Sequence, residues 1–332
     1  MTVIPAEWSP HRAMWVGWPS HEELWQDDLE TAQAEVEALV CALAGPGREQ
    51  VRLLVGHEDA LTGARNRFDG VAGVEVVPGR FGDIWLRDTG PIFGQGSRRA
   101  AAFRFNGWGG KYDLPYDDTV ADQIGERSGA PLDRHDFILE GGALDHDGAG
   151  TVLTTRQCLL NPNRNPGWTE SAAEAALTDA LGARKVLWLG DGLLNDHTDG
   201  HVDNLARFVA PGVVACPIAY GPRDPNAEVY DATARALSAM TDADGNAIRV
   251  LRIPSPGLIL DEDERPVPAS HMNFLIADGA VIVPTYGDAT AARLACEALA
   301  TVFIDREIIP LPSTAILTGG GSFHCISQQE PA

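Results

Sequence analysis

Strand-like and helix-like segments alternate along this chain of 332 residues, and four of its helical segments recur at a regular spacing. Apolar residues at helical spacing predict helices near residues 29–43, 118–128, 171–181, 224–240 and 289–302. The last four start roughly 50 to 65 residues apart, with β-rich stretches on both sides of each. Such a period predicts a repeated unit of about three strands and one helix. In the fourth helix, Asp224 is the expected N-cap and Pro225 the first helical residue.

The length of the chain leaves two α/β architectures open. A chain of 332 residues exceeds the usual size of one core, so length alone favours an ordinary two-domain α/β protein. The regular period, and the lack of a Pro/Ser-rich linker in the sequence, favour one closed, repetitive domain. The residue pattern by itself does not decide between them.

The charge balance is strongly acidic, with 25 Lys and Arg residues against 47 Asp and Glu residues and a net charge of −22. This balance disfavours nucleic acid and anionic membranes as partners and attracts small cations. No apolar run reaches the roughly 20 residues that span a bilayer, and residues 1–19 lack the pattern of a signal peptide. Five scattered cysteines without a Cys-x-x-Cys pair indicate a reduced, cytoplasmic protein.

A thiol follows three glycines close to the end of the sequence, in the stretch GGGSFHC at residues 319–325. Glycine permits backbone conformations and close approaches that side chains prevent. Cys325 is therefore a candidate nucleophile at the floor of a cleft. A nucleophile of this kind needs a proton-transfer group and a group that holds the electrophile.

A histidine and an aspartate stand two residues apart just before an apolar strand. If this segment is extended, His201 and Asp203 project to the same side while Val202 enters the core. An imidazole beside a carboxylate is a natural acid–base unit, although a structural hydrogen bond in a solvated loop explains the pattern equally. A metal site of His197, His201 and Asp203 is a third alternative.

Residues 83–91 predict a strand that ends in a charged turn. Asp88 lies there between Arg87 and a Thr-Gly-Pro turn, where its carboxylate is able to bind a planar cation through two hydrogen bonds. Trp85 faces away from Asp88 if the alternation is strict. A purely structural contact between Arg87 and Asp88 is the alternative.

Glu140 stands at the end of a short apolar segment, immediately before two glycines. Its carboxylate could approach a ligand, orient His201, or simply face water at the end of a strand. Residues 105–112 form a glycine- and aromatic-rich loop that predicts a lid or a pocket wall, and its glycines lack the strand–helix context of a phosphate-binding loop. Together the segments supply a thiol, an imidazole and two or three acids, which suits a cationic carbon electrophile.

These segments, in this order, resemble the agmatine deiminase family, which is related to bacterial-type peptidylarginine deiminases within the guanidine-modifying superfamily. The resemblance rests on residues 5–8, 15–19, 85–91, 106–110, 139–142, 195–204, 273–274, 281–284 and 319–329. It implies one domain, residues 1–332, folded as a five-bladed, pseudo-symmetric α/β propeller (pentein). It also implies a small cationic guanidine as substrate and neither a metal nor an organic cofactor. A homodimer is left open.

The resemblance also implies catalytic roles for four residues. Cys325 is the nucleophile and His201 is the acid–base group. Asp203 acts beside them, and Glu140 supports His201 or the substrate nitrogen. The reaction implied is the hydrolytic deimination of agmatine to N-carbamoylputrescine and ammonia, through a covalent amidino-cysteine intermediate.

The expected substrate-binding residues overlap with this catalytic set. Asp88 and Asp203 hold the guanidinium through hydrogen bonds from its N–H groups. Trp85, Arg87 and Gly320 are further candidates for contact with the substrate.

Three positions depart from the family pattern. His197 stands where the family has an acid, the pair at 322–323 replaces Asn-Ile, and the pair at 190–191 replaces Arg-Gly. These departures keep free arginine, peptidyl arginine and methylated guanidines open as substrates beside agmatine. A metal-dependent hydrolase is a more distant alternative.

Overall fold

Five small β-sheets form the frame of the protein in a computed structural model, which describes residues 4–95 and 99–332. The strands are β1 (His11–Trp18), β2 (Val51–Val55), β3 (Val74–Pro78), β4 (Ile92–Phe93), β5 (Ala100–Arg104), β6 (Leu132–Ile138), β7 (Asp145–His146), β8 (Thr151–Thr155), β9 (Lys185–Leu189), β10 (Arg207–Ala210), β11 (Val213–Ile218), β12 (Arg249–Pro254), β13 (Leu275–Ile276), β14 (Ala280–Thr285), β15 (Glu307–Pro312) and β16 (Ser327–Pro331). The helices are α1 (Glu22–Trp25), α2 (Leu29–Ala44), α3 (Glu58–Arg67), α4 (Leu86–Thr89), α5 (Gly107–Gly110), α6 (Val120–Ser128), α7 (Arg156–Leu159), α8 (Glu170–Leu181), α9 (Ala227–Ser238), α10 (Ala289–Ala300) and α11 (Thr314–Thr318). Short 3₁₀ helices span Gln26–Asp28, Asp117–Thr119, Gly141–Ala143 and Val202–Asn204. Within the described residues, none of the helices combines the length and the apolar composition that crossing a bilayer requires.

The five sheets share one strand pattern. Four of them have the orders β4-β5-β6, β7-β8-β9, β10-β11-β12 and β13-β14-β15, and the fifth has the order β16-β1-β2-β3. In each, the first strand runs antiparallel to the second, and the second runs parallel to the third. Parallel neighbours need a crossover, which α2, α6, α8, α9 and α10 provide. The predicted unit of three strands and one helix is thus confirmed.

The crossover helices pack between neighbouring sheets. Helix α9 contacts β9 and β11, α10 contacts β12 and β15, and α2 contacts β15 and β2. The first strands also pack against each other, β4 against β16 and β7 against β10. The five sheets agree in number and strand pattern with the blades of the expected five-bladed α/β propeller, and these contacts place the first strands on its inner side.

The last strand closes the sheet that the first strand begins. Strand β16 pairs with β1 in antiparallel register, with Met14 opposite Gln329 and Trp15 opposite Gln328. The indole N–H of Trp15 donates to the Glu330 carboxylate at 3.1 Å. Both ends of the described chain are thereby built into one blade.

The strand predicted over residues 83–91 is wrong, because Leu86–Thr89 forms a helical turn. The Asp83 carboxylate accepts the indole N–H groups of Trp25 at 3.1 Å and Trp85 at 2.7 Å. It also accepts the next backbone N–H in the chain, that of Ile84. A carboxylate that gathers local donors in this way competes with the strand ladder and bends the chain.

The extended conformation predicted for His201 and Asp203 is also wrong. Val202–Asn204 is a 3₁₀ turn, because the N–H groups of Leu205 and Ala206 both donate to the Val202 carbonyl, at 2.9 and 2.7 Å. The apolar strand that follows begins at Arg207, the start of β10. The two side chains still reach one site, but from a helical turn.

The helix predicted to begin at Asp224 begins instead at Ala227, with Asn226 as its N-cap. The Asp224 carboxylate accepts the N–H groups of Asn226 at 3.0 Å and Tyr220 at 3.2 Å. It therefore holds together the turn that precedes α9. The other four predicted helices are confirmed within a few residues.

Candidate active site

The turn before the first strand of each blade contributes one polar side chain to a common site. Asp88 precedes β4, Glu140 precedes β7, Asp203 precedes β10, Asn273 precedes β13 and Cys325 precedes β16. Because the first strands are innermost, these turns meet at one end of the propeller axis. Side chains as far apart in the sequence as Asp88 and Cys325 therefore converge at this end of the axis.

The sulfur of Cys325 lies between an amide and a carboxylate. The Asn273 side-chain N–H donates to Sγ at 3.1 Å, and the thiol donates to Oδ2 of Asp203 at 3.6 Å. Oδ1 of Asn273 accepts the backbone N–H groups of His324 and Cys325, at 3.0 and 3.2 Å. Burial, followed by the charges of Asp203 and Asp88, raises the pKa of the Cys325 thiol well above its ordinary value. The thiolate therefore needs a nearby cation.

Asp203 is held as a carboxylate with one oxygen free. Nδ1 of His324 lies 2.8 Å from its Oδ2, and Nε2 of His324 lies 3.3 Å from the Glu7 carboxylate. Glu7 in turn pairs with Arg207. Burial alone would raise the pKa of Asp203, but the hydrogen bond and charge of His324 bring it below its ordinary value. Oδ1 of Asp203 is buried without a partner, so it is available to a ligand.

Asp88 lies close enough to Asp203 for their charges to interact, and it is held by two donors. The indole N–H of Trp108 donates to its Oδ2 at 2.9 Å, and the backbone N–H of Gly142 donates to its Oδ1 at 3.0 Å. Burial raises the pKa of Asp88 well above its ordinary value, and the charges of Asp203 and Glu140 raise it further. A cation bound between Asp88 and Asp203 would reverse this shift.

His201 is fully buried, and neither of its ring nitrogens has a hydrogen-bond partner among the residues that the structure describes. Its Nδ1 lies 3.7 Å from Oδ1 of Asp88. Burial lowers the pKa of His201 to about 3, although the charge of Asp203 acts to raise it. The imidazole is therefore neutral and able to accept a proton.

Glu140 forms an ion pair with an arginine. Its Oε1 lies 2.6 Å from Nε of Arg164, and both side chains are 1 % exposed. Arg164 also pairs with Asp199 at 2.7 Å. The polar atoms of Glu140 and His201 come within 4.8 Å, without a hydrogen bond between the two side chains. Burial raises the pKa of Glu140, against the lowering effect of Arg164.

Gly142 and Gly321 have no side chain, and this leaves a space that the surrounding polar groups face. A Cβ on Gly142 would lie 2.6 Å from Nδ1 of His201, 2.8 Å from Oδ1 of Asp88 and 3.1 Å from Oδ2 of Asp203. A Cβ on Gly321 would lie 3.2 Å from Sγ of Cys325. The sequence drew attention to the glycines near the thiol, but not to the space at Gly142.

The three further candidates for substrate contact lie in different places. Trp85 borders the nucleophile loop, the segment of residues 319–325 that ends in the candidate nucleophile Cys325. A Cβ on Gly321 would lie 2.6 Å from the Trp85 ring. Gly320 has φ +107° and faces Nδ1 of His197. The Arg87 guanidinium bonds to the carbonyl of His324 and to the Gln329 side chain, at 3.3 and 2.7 Å, so it holds the segment around the nucleophile. Their contact with substrate stays a prediction.

The predicted lid loop meets the segment of His197 at the rim of the site. The Tyr112 hydroxyl lies 2.9 Å from Nδ1 of His197, and Nζ of Lys111 donates to the His197 carbonyl at 2.7 Å. His197 thus belongs to the rim. It is absent from the clusters of three ligand-type side chains that the described residues contain, so the metal site of His197, His201 and Asp203 is wrong.

Sequence reasoning missed several of these partners. Asn273 was noted only as part of the resemblance, because an amide does not titrate and an Asn before a strand is a common turn residue. Arg164 and Glu7 lie far from the quoted acids in sequence, and Arg207 lies inside an apolar strand. The apolar flanks of Arg207 were the available signal, since a buried arginine requires acidic partners.

Comparison with known proteins extends over almost the whole chain. The family model for Porphyromonas-type peptidyl-arginine deiminase matches residues 3–331. The agmatine deiminase of Stutzerimonas stutzeri is 38 % identical, over 99 % of this chain and 95 % of that protein. The solved structure of the Enterococcus faecalis agmatine deiminase has a TM-score of 0.92 at 33 % identity, covering 99 % of this chain and 96 % of that one. A Campylobacter jejuni agmatine deiminase with substrate bound has a TM-score of 0.87 at 28 % identity, covering 100 % and 96 %.

The matches agree with one another in sequence, in fold and in extent. They confirm the resemblance drawn from the separate motifs. This chain belongs to the Porphyromonas-type peptidyl-arginine deiminase family, together with the agmatine deiminases to which it is similar along almost its full length.

Proposed function

We propose that this protein hydrolyses agmatine to N-carbamoylputrescine and ammonia, through a covalent intermediate on Cys325. The observation that carries the proposal is the placement of the Cys325 sulfur 3.6 Å from Asp203, next to the space that Gly142 leaves open before Asp88 and His201. The agmatine deiminases that match along their length support agmatine as the substrate.

The guanidinium binds between two carboxylates. Oδ1 of Asp203, which has no other partner, accepts one pair of N–H groups, and Asp88 accepts another. The bound positive charge favours the ionised form of Asp88 and of the neighbouring Cys325. Binding thus activates the nucleophile, whose pKa is raised in the free enzyme.

Ammonia leaves in the first half of the reaction. The thiol proton passes to neutral His201, and the sulfur attacks the central carbon of the guanidinium. His201 then returns this proton to one NH₂ group, the C–N bond breaks, and ammonia departs. The remaining group is an amidino thioether on Cys325.

Water completes the reaction. His201 takes a proton from water, and the hydroxide adds to the same carbon. The C–S bond breaks, His201 returns its proton to the departing thiolate, and the added hydroxyl loses its proton as the carbonyl of the urea product forms. The proton released in this half is taken up by ammonia, which gives ammonium.

The proposal is tested with purified protein and agmatine. We expect ammonia and N-carbamoylputrescine in equal amounts, and a loss of turnover of about 10⁴-fold or more in Cys325→Ala. Cys216→Ala, which removes a buried thiol in β11, is the matched control and should turn over normally. Mass spectrometry of the quenched reaction should locate the amidino group on Cys325. Normal turnover by folded Cys325→Ala would refute the scheme.

Another guanidine is the second candidate for the substrate. The matching family model describes deiminases of peptidyl arginine, and His197 occupies the rim beside the nucleophile loop. The catalytic side chains, however, are almost completely buried, which favours a small substrate over a peptide. Initial rates with agmatine, arginine, a peptidyl arginine and a methylarginine decide between them.

We also propose that residues 1–332 form one domain and that the protein acts in the cytoplasm. The family match to residues 3–331 supports the single domain, and five free cysteines support a reducing compartment. The proposed residue roles need no cofactor or metal. A homodimer, and the lack of contact with nucleic acid or membrane, stay predictions.

A further inference from the structure

A second thiol lies against the catalytic histidine, and the proposed reaction does not use it. Cys158 is in α7 and is fully buried. One ligand atom each from Cys158, His201 and Glu140 lie within 4.8 Å of one another. The three residues come from separate segments of the chain, so the fold brings them together.

The unsatisfied state of His201 is a second, independent observation. Both ring nitrogens are buried and without hydrogen-bond partners, which is uncommon for a buried polar group. Nδ1 faces the substrate space beside Asp88, at 3.7 Å from its carboxylate. A neutral imidazole with no competing hydrogen bond keeps its lone pair available for a metal ion.

The charges around the cluster favour a cation. Asp88, Asp203 and Glu140 are close enough that their charges influence one another. The opposing charges are Arg164, which pairs with Glu140 and Asp199, and Lys111, which also pairs with Asp199. A bound cation favours the ionised form of these acids, which then outnumber the two bases, and the proposed substrate is itself a cation.

The kinds of ligand atom point to zinc. Thiolate, imidazole and carboxylate are the ligands of Zn²⁺ in proteins, whereas Mg²⁺ and Ca²⁺ take oxygen atoms. Zinc–ligand bonds of about 2.0 to 2.3 Å place tetrahedral ligands roughly 3.3 to 3.7 Å apart. The three ligand atoms already lie within 4.8 Å of one another, so small side-chain rotations are enough to bring them to these separations.

We infer that Glu140, Cys158 and His201 form an inhibitory Zn²⁺ site behind the substrate space. The S–H bond of Cys158 breaks as the Zn–S bond forms, and the proton goes to solvent. The metal occupies the His201 lone pair that proton transfer requires, so the zinc-bound enzyme is inactive. Metal binding itself does not depend on the proposed function, whereas the inhibition rests on it.

Cobalt(II) tests the binding without an activity assay, because a thiolate–cobalt bond gives a strong near-ultraviolet charge-transfer band. Metal-free Cys325→Ala protein should give this band with about one Co²⁺ per chain, and Zn²⁺ should abolish it by displacement. Cys158→Ala should lose the band, and Cys216→Ala should keep it. If Cys158→Ala does not fold, Cys158→Ser serves, since its oxygen gives no such band. A band that persists without Cys158, or one that vanishes in Cys325→Ala, overturns the site.

The inhibition is tested with the proposed substrate. Zn²⁺ should inhibit the wild-type enzyme, and EDTA should reverse the effect. Cys158→Ala should require about 10- to 100-fold more Zn²⁺ for the same inhibition, and Cys216→Ala should match the wild type. Equal sensitivity of Cys158→Ala and wild type overturns the inhibitory role. If the protein binds cobalt through Cys158 but does not deiminate agmatine, the metal site stands and the proposed function fails.

Discussion

The side-chain amide of Asn273 lies 3.1 Å from the sulfur of Cys325 and also holds the turn that carries it. One face of the amide donates to the sulfur, and the other accepts two backbone N–H groups of the nucleophile loop. Asn273 therefore fixes the position of the sulfur and stabilises its negative charge.

Removing this amide should weaken the thiolate. The Asn273 N–H lowers the pKa of Cys325, so Asn273→Ala should raise that pKa further. We expect kcat/KM to fall by about 10- to 100-fold, as for the loss of a hydrogen bond to a charged group. Alkylation of Cys325 by iodoacetamide should also be slower at a given pH. Unchanged alkylation rates across the pH range would contradict the role in charge stabilisation.

A methyl group at position 142 should fill the guanidinium space. The new Cβ in Gly142→Ala would lie within 3.1 Å of His201, Asp88 and Asp203. We expect kcat/KM to fall by about 100-fold or more. Gly63→Ala is the matched control, because nothing lies within 4 Å of its Cβ. It should leave the kinetics unchanged and stabilise α3 by about 1 kcal/mol. Normal agmatine kinetics in Gly142→Ala would place the substrate elsewhere.

Replacing His324 should change the pH dependence of the reaction. His324 holds the pKa of Asp203 down through a 2.8 Å hydrogen bond. In His324→Ala that pKa should rise, so the acid limb of the kcat/KM profile should move up by about one pH unit or more. His324→Gln, whose amide N–H can reach Asp203, should recover part of the shift. A lower melting temperature with an unmoved acid limb would show that His324 is only structural.

Asp117 should make the protein less stable as the pH rises. Burial raises its pKa from 3.8 to about 7, and its Oδ1 accepts the N–H groups of Gly82 and Asp83. A raised folded-state pKa means that the carboxyl contributes its stability below 3.8 and loses it as the pH rises towards 7. Asp117→Asn keeps the accepting oxygen but cannot ionise.

We therefore expect Asp117→Asn to match the wild type near pH 4 and to be about 1 to 2 kcal/mol more stable at pH 8. Urea unfolding at both pH values measures the difference. The exposed neighbour Asp118 provides the control variant Asp118→Asn. Equal gains from the two variants, or a gain for Asp117→Asn that is larger at low pH, would contradict the assignment.

The repeated unit was predictable because each crossover helix has an apolar face that recurs at helical spacing. Helix α3 was missed because Ala64 is its only buried residue, so no apolar period marks it. The extended conformation predicted at Asp203 was wrong because the chain forms a local 3₁₀ turn there, and the strand predicted at Asp88 was wrong because the Asp83 carboxylate also accepts an indole N–H from Trp25, far away in sequence. Local pattern cannot register such partners.

Within the candidate site, titratable side chains next to glycines were visible in the sequence. The residues that contact them were not visible, because Asn273 and Arg164 reach the site only in the folded protein, where the blades surround the axis. Glu140 likewise stays separate from His201 because its carboxylate forms an ion pair with Arg164.

Closure of the ring by β16 and β1 has a consequence for how the enzyme comes into being. The sulfur of Cys325, the proposed nucleophile, lies two residues before β16, and the polar side chains around it come from the four blades made earlier. A growing polypeptide on the ribosome therefore holds the acids and the imidazole long before it holds the thiol or the seam. Under the proposed mechanism, a fragment that is released before residue 325 has been added lacks the thiol and is inert towards guanidines.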